Sequence, residues 1–235
     1  MKSMKPLGKS LAAAAGIVAF ACSTTANALS MTFDSGGDAL ITHYVFSIDS
    51  ANVDVTVTYS LISITSTTAK FNVSMSNDST GTGQNRLVSF GVDTTEPDLT
   101  GASTTNSSPT AGEWDADVTE NFPGFGSVML CSFAGPNCSG GGNGGIAQGG
   151  ADESFMLTLT GAFGASPSLT FNSPFPGKFQ SVGVAGKSYE IDACDSTTQS
   201  TCTRIPPQEI PEPGMLMLLA LSLFTLYAAR RRAMR

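Results

Sequence analysis

Residues 53–61 read Val-Asp-Val-Thr-Val-Thr-Tyr-Ser-Leu, with Val53, Val55, Val57, Tyr59 and Leu61 at the odd positions and Asp54, Thr56, Thr58 and Ser60 at the even ones. A strand sends successive side chains to opposite faces, so this stretch has one apolar face to bury and one polar face to wet. Its β-branched residues crowd a helix and suit a pleat. The same period of two recurs at Phe71, Val73 and Met75, at Val88, Phe90 and Val92, and at Phe155, Leu157 and Leu159. Weaker versions run through residues 40–48, 127–133, 169–171 and 178–184. About eight or nine strands are expected.

Between these runs lie stretches dense in Gly, Ser, Thr, Asn and Pro, at residues 77–85, 94–112 and 135–150. Such composition reads as turns and loops. No sustained helical period appears from residue 29 to 209. Strands with one apolar face must cover it with a second sheet, so the expected fold is all-β: a single β-sandwich or jelly-roll-like domain over residues 29–196. Residues 197–209 carry Ser, Thr, Gln and Pro, a linker composition suited to an extended tether.

Both ends read as addresses. Lys2, Lys5 and Lys9 precede an apolar stretch from Leu11 to Cys22, followed by Ala26-Asn27-Ala28. A basic start, a short apolar run and a small-x-small site describe a secretory signal peptide over residues 1–28, cut after Ala28. This implies the Sec translocon and signal peptidase as partners. Lipidation at Cys22 is a rival reading, weakened by Phe20 where a small residue is wanted. With both ends set aside, residues 29–213 hold five basic residues against nineteen acids, a net charge near −14. Such a body cannot neutralise a run of phosphates, which argues against nucleic acid as a partner.

Once Cys22 leaves with the signal peptide, an even set remains: Cys131, Cys138, Cys194 and Cys202. Two local loops, Cys131 to Cys138 and Cys194 to Cys202, are the simplest of three connectivities and suit an oxidising compartment. A zinc site wants closer pairs, and the lone His43 adds little.

Catalytic patterns are mostly absent. A Ser-His-Asp triad would need His43, and no Gly-x-Ser-x-Gly elbow is present to offer a serine. His43 therefore reads as a satisfied strand or surface residue. The glycines of residues 140–145 lack the Lys-Ser/Thr of a phosphate loop and read as a flexible excursion beside a disulfide. The segment Glu113, Trp114, Asp115, Asp117 is the most suggestive. On extended chain its three carboxylates point the same way, as in a Ca2+ site completed by loop carbonyls, and the only tryptophan offers a face on which a sugar would stack. The plainer reading is solvated acids beside a core tryptophan. Asn77, Asp78 and Gly81 fit a fragment of a calcium loop.

The C-terminal stretch reads IPEPGMLMLLALSLFTLYAARRRAMR, residues 210–235. Pro211, Glu212 and Pro213 keep the chain extended. The apolar run at residues 214–229 would make a transmembrane helix of about 24 Å, slightly short of a ~30 Å hydrocarbon core. Arg230, Arg231, Arg232 and Arg235 hold that end in the cytoplasm, so the body faces outward. Triplet, apolar run and arginine cluster together resemble the PEP-CTERM sorting tail of bacterial exported proteins. The resemblance implies recognition by an exosortase, a membrane-embedded, cysteine transpeptidase-like enzyme, with the tail then removed. A permanent anchor is the plainer alternative.

The body is similar to one PEP-CTERM subgroup, the cistern family. The similarity lies at Phe90-Gly91-Val92-Asp93-Thr94, at Leu99-Thr100-Gly101-Ala102-Ser103, and from Cys131-Ser132-Phe133 through Asn137-Cys138-Ser139-Gly140-Gly141-Gly142. It implies no catalytic residues. The expectation is an exported, non-enzymatic surface or extracellular-matrix protein associated with exopolysaccharide. A carbohydrate-binding or adhesive module is the alternative.

Overall fold

The computed structural model describes residues 30–95, 97–106, 114–140 and 144–195. The expected signal peptide, the linker at 197–209 and the tail at 210–235 lie outside these residues. Fourteen strands follow in chain order: β1 (Ser30–Phe33), β2 (Ala39–Ile48), β3 (Ala51–Ile64), β4 (Thr68–Asn77), β5 (Thr80–Gly81), β6 (Gly83–Thr94) and β7 (Leu99–Asn106), then β8 (Asp115–Phe122), β9 (Gly126–Phe133), β10 (Glu153–Gly161), β11 (Leu169–Asn172), β12 (Pro176–Val182), β13 (Lys187–Asp192) and β14 (Cys194–Asp195).

They form two antiparallel seven-stranded sheets packed face to face, a β-sandwich. One runs β1-β11-β6-β12-β13, with β9 on β6 and β8 on β9; the other runs β14-β2-β3-β4-β10-β7, with β5 on β3. The backbone of the second sheet is the long meander β2-β3-β4. Asp49 and Ser50 join β2 to β3, and both have positive φ, 46° and 66°. Two such residues give the turn the twist that a tight hairpin needs. It sets the register Ile48 to Ala51 and so turns Val53, Val55, Val57, Tyr59 and Leu61 all inward.

The two inner faces meet in an aromatic seam. Phe33 meets Phe71 and Phe171 edge-on, while Phe71 and Phe171 stack at 5.5 Å. Tyr59 touches Phe171 and Phe90, and Phe90 leads to Trp114 and Phe155. Tyr44 and Phe46 close the other end against Phe179. Offset and edge-on rings add about 1 kcal/mol per pair to the area they bury. Close approach needs room: a Cβ at Gly177 would lie 2.5 Å from the Tyr44 ring, so only glycine lets that ring lie on β12.

The strands expected at residues 40–48, 53–61, 71–75, 88–92, 127–133, 155–159 and 169–171 all appear, mostly longer than the apolar runs that marked them. The run at 178–184 ends earlier, at Val182, and Val184 sits exposed in the following turn. Several strands escape the pattern. Residues 94–112, expected as a turn-rich stretch, hold β7, whose Leu-Thr-Gly-Ala-Ser-Thr-Thr-Asn has too few large apolar residues to show alternation. An edge strand backed by one neighbour does not need them. β1, β8 and β13 are also short or polar edges of their sheet.

A polar knot fixes one end of the sandwich. Asn77 is 5% exposed, and its amide nitrogen donates to the carbonyls of Asn85 (2.8 Å) and Ile146 (2.9 Å), while its oxygen accepts from the Ser79 amide. Asn85 is fully buried, accepts from the Gly183 amide and donates to Gln148. Four segments thus share one network. Asn77→Ala takes this partner from the Asn85 carbonyl and the Ser79 amide, while the Ile146 carbonyl keeps the Leu87 N–H, and should destabilise the domain by about 2–4 kcal/mol. Urea unfolding of the variant against the parent measures this.

Candidate functional site

The acidic segment singled out from the sequence leads into β8. Asp115 and Asp117 face water with Ala116 buried between them, and the Asp115 carboxylate caps the Ala116 amide at 2.8 Å. They do share a side, as extended chain requires; Glu113 lies outside the described residues. Among the described residues no group of three His, Cys, Asp or Glu side chains is placed to hold a metal ion.

Trp114 is not a stacking platform. It is 1% exposed, with its ring 5.9 Å from Phe155 in near-parallel stacking and 5.3 Å from Phe90. With the indole buried in the core, no sugar can lie on it. Its carbonyl accepts from the Thr104 hydroxyl at 2.7 Å, tying the entry of β8 to β7. The indole Nε1 donates to Glu153 Oε2 at 2.6 Å.

Glu153 is the charged side chain that sequence reasoning missed. It is 8% exposed at the start of β10. The signal was in the parity: Glu153 shares its face with Phe155, Leu157 and Leu159, so the alternation points it inward. Desolvation pushes its carboxyl above the ordinary 4.5, against the opposing pull of the indole bond and of the positive charge of Arg86. Arg86 itself donates to the Gly144 carbonyl and to Gln84. The arrangement joins β10 to the lead-in of β8, and thereby one sheet to the other.

Because the folded state holds the Glu153 proton to higher pH than the unfolded chain, it binds more protons than the unfolded chain across that interval. Its contribution to stability is therefore present below the unfolded pKa and lost as pH rises through the folded one. Glu153→Gln removes this slope while keeping an oxygen for the indole. Urea midpoints between about pH 4 and pH 7 should show the parent losing ground to the variant as pH rises.

Cys131 and Cys138 are bonded, as the spacing suggested. Both sulfurs are buried on the outer face of the first sheet, in a small second core with Phe122, Val128, Phe133 and Phe125. The loop that carries Cys138 is held down by the Ser89 hydroxyl on the Cys138 carbonyl. Cys194 is disulfide-bonded too; Cys202, its expected partner, lies outside the described residues. Replacing Cys131 and Cys138 by serine should cost roughly 2.5 kcal/mol, the chain-entropy value for so short a loop. Thermal or urea unfolding of the double variant reads it.

The glycine run is less free than its composition suggests. A Cβ at Gly145 would lie 2.1 Å from the Leu87 carbonyl, and the next residue, Ile146, makes a backbone bridge to Leu87. Glycine here allows close packing on β6. The calcium-loop fragment is likewise spent: Asn77 belongs to the buried knot, and Gly81 pairs with Ala51. His43 is half-buried on β2 with Nε2 3.2 Å from the Thr56 hydroxyl.

The remaining candidate is the tail, where sequence alone carries the chemistry. Residues 209–232 match the PEP-CTERM protein-sorting motif. The matched stretch contains the Pro211-Glu212-Pro213 triplet, the apolar run and three of the arginines. No curated protein and no solved structure matches the chain.

Proposed function

We propose that this chain is an exported, non-enzymatic surface or extracellular-matrix protein: a β-sandwich delivered by a signal peptide over residues 1–28 and sorted by an exosortase that recognises the PEP-CTERM motif. The observation that carries the reading is the motif at residues 209–232 behind an all-β body. In this scheme the Sec translocon passes the body outward, and signal peptidase cuts after Ala28. The helix at 214–229 then holds the chain in the inner membrane until the tail is cut near Pro211, Glu212 and Pro213.

The body fits the role. Its strands bury their chemistry-bearing groups in structural bonds, as Trp114 and Glu153 do. Short disulfide loops suit an oxidising envelope. The stretches similar to the cistern family form parts of β6, β7 and β9 with its disulfide loop. Association with exopolysaccharide completes the reading.

Intact mass of the chain recovered from cells with and without an exosortase tests it. The expected result is loss of residues 1–28 in both, and loss of the tail only where the exosortase is present. Equal masses from both cells, with the tail retained, would show a permanent anchor in place of a sorting signal.

A further inference from the structure

We infer that the outer face of the second sheet binds a neutral polysaccharide chain. This deepens the proposed association with exopolysaccharide by naming the face and the chemistry.

The two outer faces of the sandwich differ. On the first sheet the disulfide loop, a second core and the Lys178–Glu190 ion pair (2.5 Å) cover much of the surface. On the second, the outward positions of β3, β4 and β10 lie in register. Thr58 pairs with Ser74 and Ser74 with Ser154; one step along, Ser60 pairs with Asn72 and Asn72 with Met156. Neighbours in such rows stand about 4.8 Å apart across strands and about 6.8 Å apart along them. The long hairpins make this face broad and continuous.

Its charge is the unusual part. An ordinary protein surface is about 25–35% charged. Across β2, β3, β4, β10 and β7 the outward positions carry only Asp54 and Lys70 as formal charges, besides the imidazole of His43. Yet the exported body is strongly acidic. The carboxylates are therefore placed elsewhere. Of the four exposed large aliphatic residues among those described, three stand here: Ile41 and Val45 on β2, and Ile62 on β3.

Hydroxyls and amides that both donate and accept, interspersed with exposed aliphatic groups, match the hydroxyl edges and C–H faces of an uncharged sugar chain. A uronate or phosphate polymer would find Lys70 as its one formal cation on this face, offset by Asp54, and a repelling field around it. The missing charges also spare a neutral ligand the cost of desolvating them.

The test uses the full chain in detergent micelles, co-sedimented with three insoluble neutral glucans (cellulose, curdlan and starch) and with calcium alginate as the acidic comparison. Retention is expected on at least one neutral glucan and not on alginate. Thr58→Glu with Ser74→Glu should weaken that retention at least tenfold, while Ser188→Glu on the exposed edge strand β13 of the other sheet leaves it unchanged. Both substituted side chains point outward, but the two glutamates face one another across β3 and β4 and should cost some stability; where the double variant melts earlier, Ser74→Glu alone carries the test. Three results would each overturn the inference: no retention on any neutral glucan, equal retention of parent and variant, or a dimer that the double variant dissociates without any glucan binding. Export and tail removal are read by mass and glucan binding by sedimentation, so this inference and the reading beneath it fail separately.

Discussion

The contact between Phe71 of β4 and Phe171 of β11 stacks a ring from each sheet on the other, and the rest of the sandwich is built out from it. From this pair the seam runs through Phe33 and Tyr59 to Phe90, Trp114 and Phe155 without leaving the inter-sheet space. Such a seam works only if each strand keeps its parity. A slip of one residue in β3 would expose Tyr59 and bury Thr58, so the positive-φ turn at Asp49 and Ser50 matters as much as the rings it aligns.

Buried polar groups follow the same logic. Asn77, Asn85 and Glu153 each sit at an inward or terminal position where a core residue would be expected, and each has donors or acceptors brought to it by another segment. A buried polar group without a partner is costly, so these bonds restrict how the loops after β4, β9 and β12 can lie. The knot around Asn77 and Asn85 gathers four segments at one end, and the Trp114–Glu153 bond fastens the seam between β8 and β10.

How much of this was legible depended on what each strand had to bury. β3, β4, β6 and β10 announce themselves, since central strands need large apolar residues at every second position. β7 and β8 did not. As edges they make do with Leu99 and Ala102, or with Ala116 and Val118, and the same polar alternation in Asp115 and Asp117 looked like a ligand set. Trp114 was visible as a singular residue but not as a buried one, because the rings that pack on it come from Phe90 and Phe155, distant in sequence. Glu153 could have been placed from parity alone. The tail stands apart from all of this: its triplet, apolar run and arginines were readable without any fold, because a sorting signal acts as a linear segment.

That division bears on what the body does once delivered. An address fixes a compartment and leaves the surface that meets it to the folded domain. The disulfide loop thickens the outer side of one sheet, while the outer side of the other keeps a continuous array of hydroxyls with its charges nearly cleared. Solubility alone would favour spreading the acids evenly, since like charges crowded onto less surface repel more strongly. Keeping a broad face almost neutral in so acidic a body therefore works against the general electrostatic trend. A ligand that is itself uncharged, rich in hydroxyls and extended enough to lie across several strands gives that arrangement a physical reason.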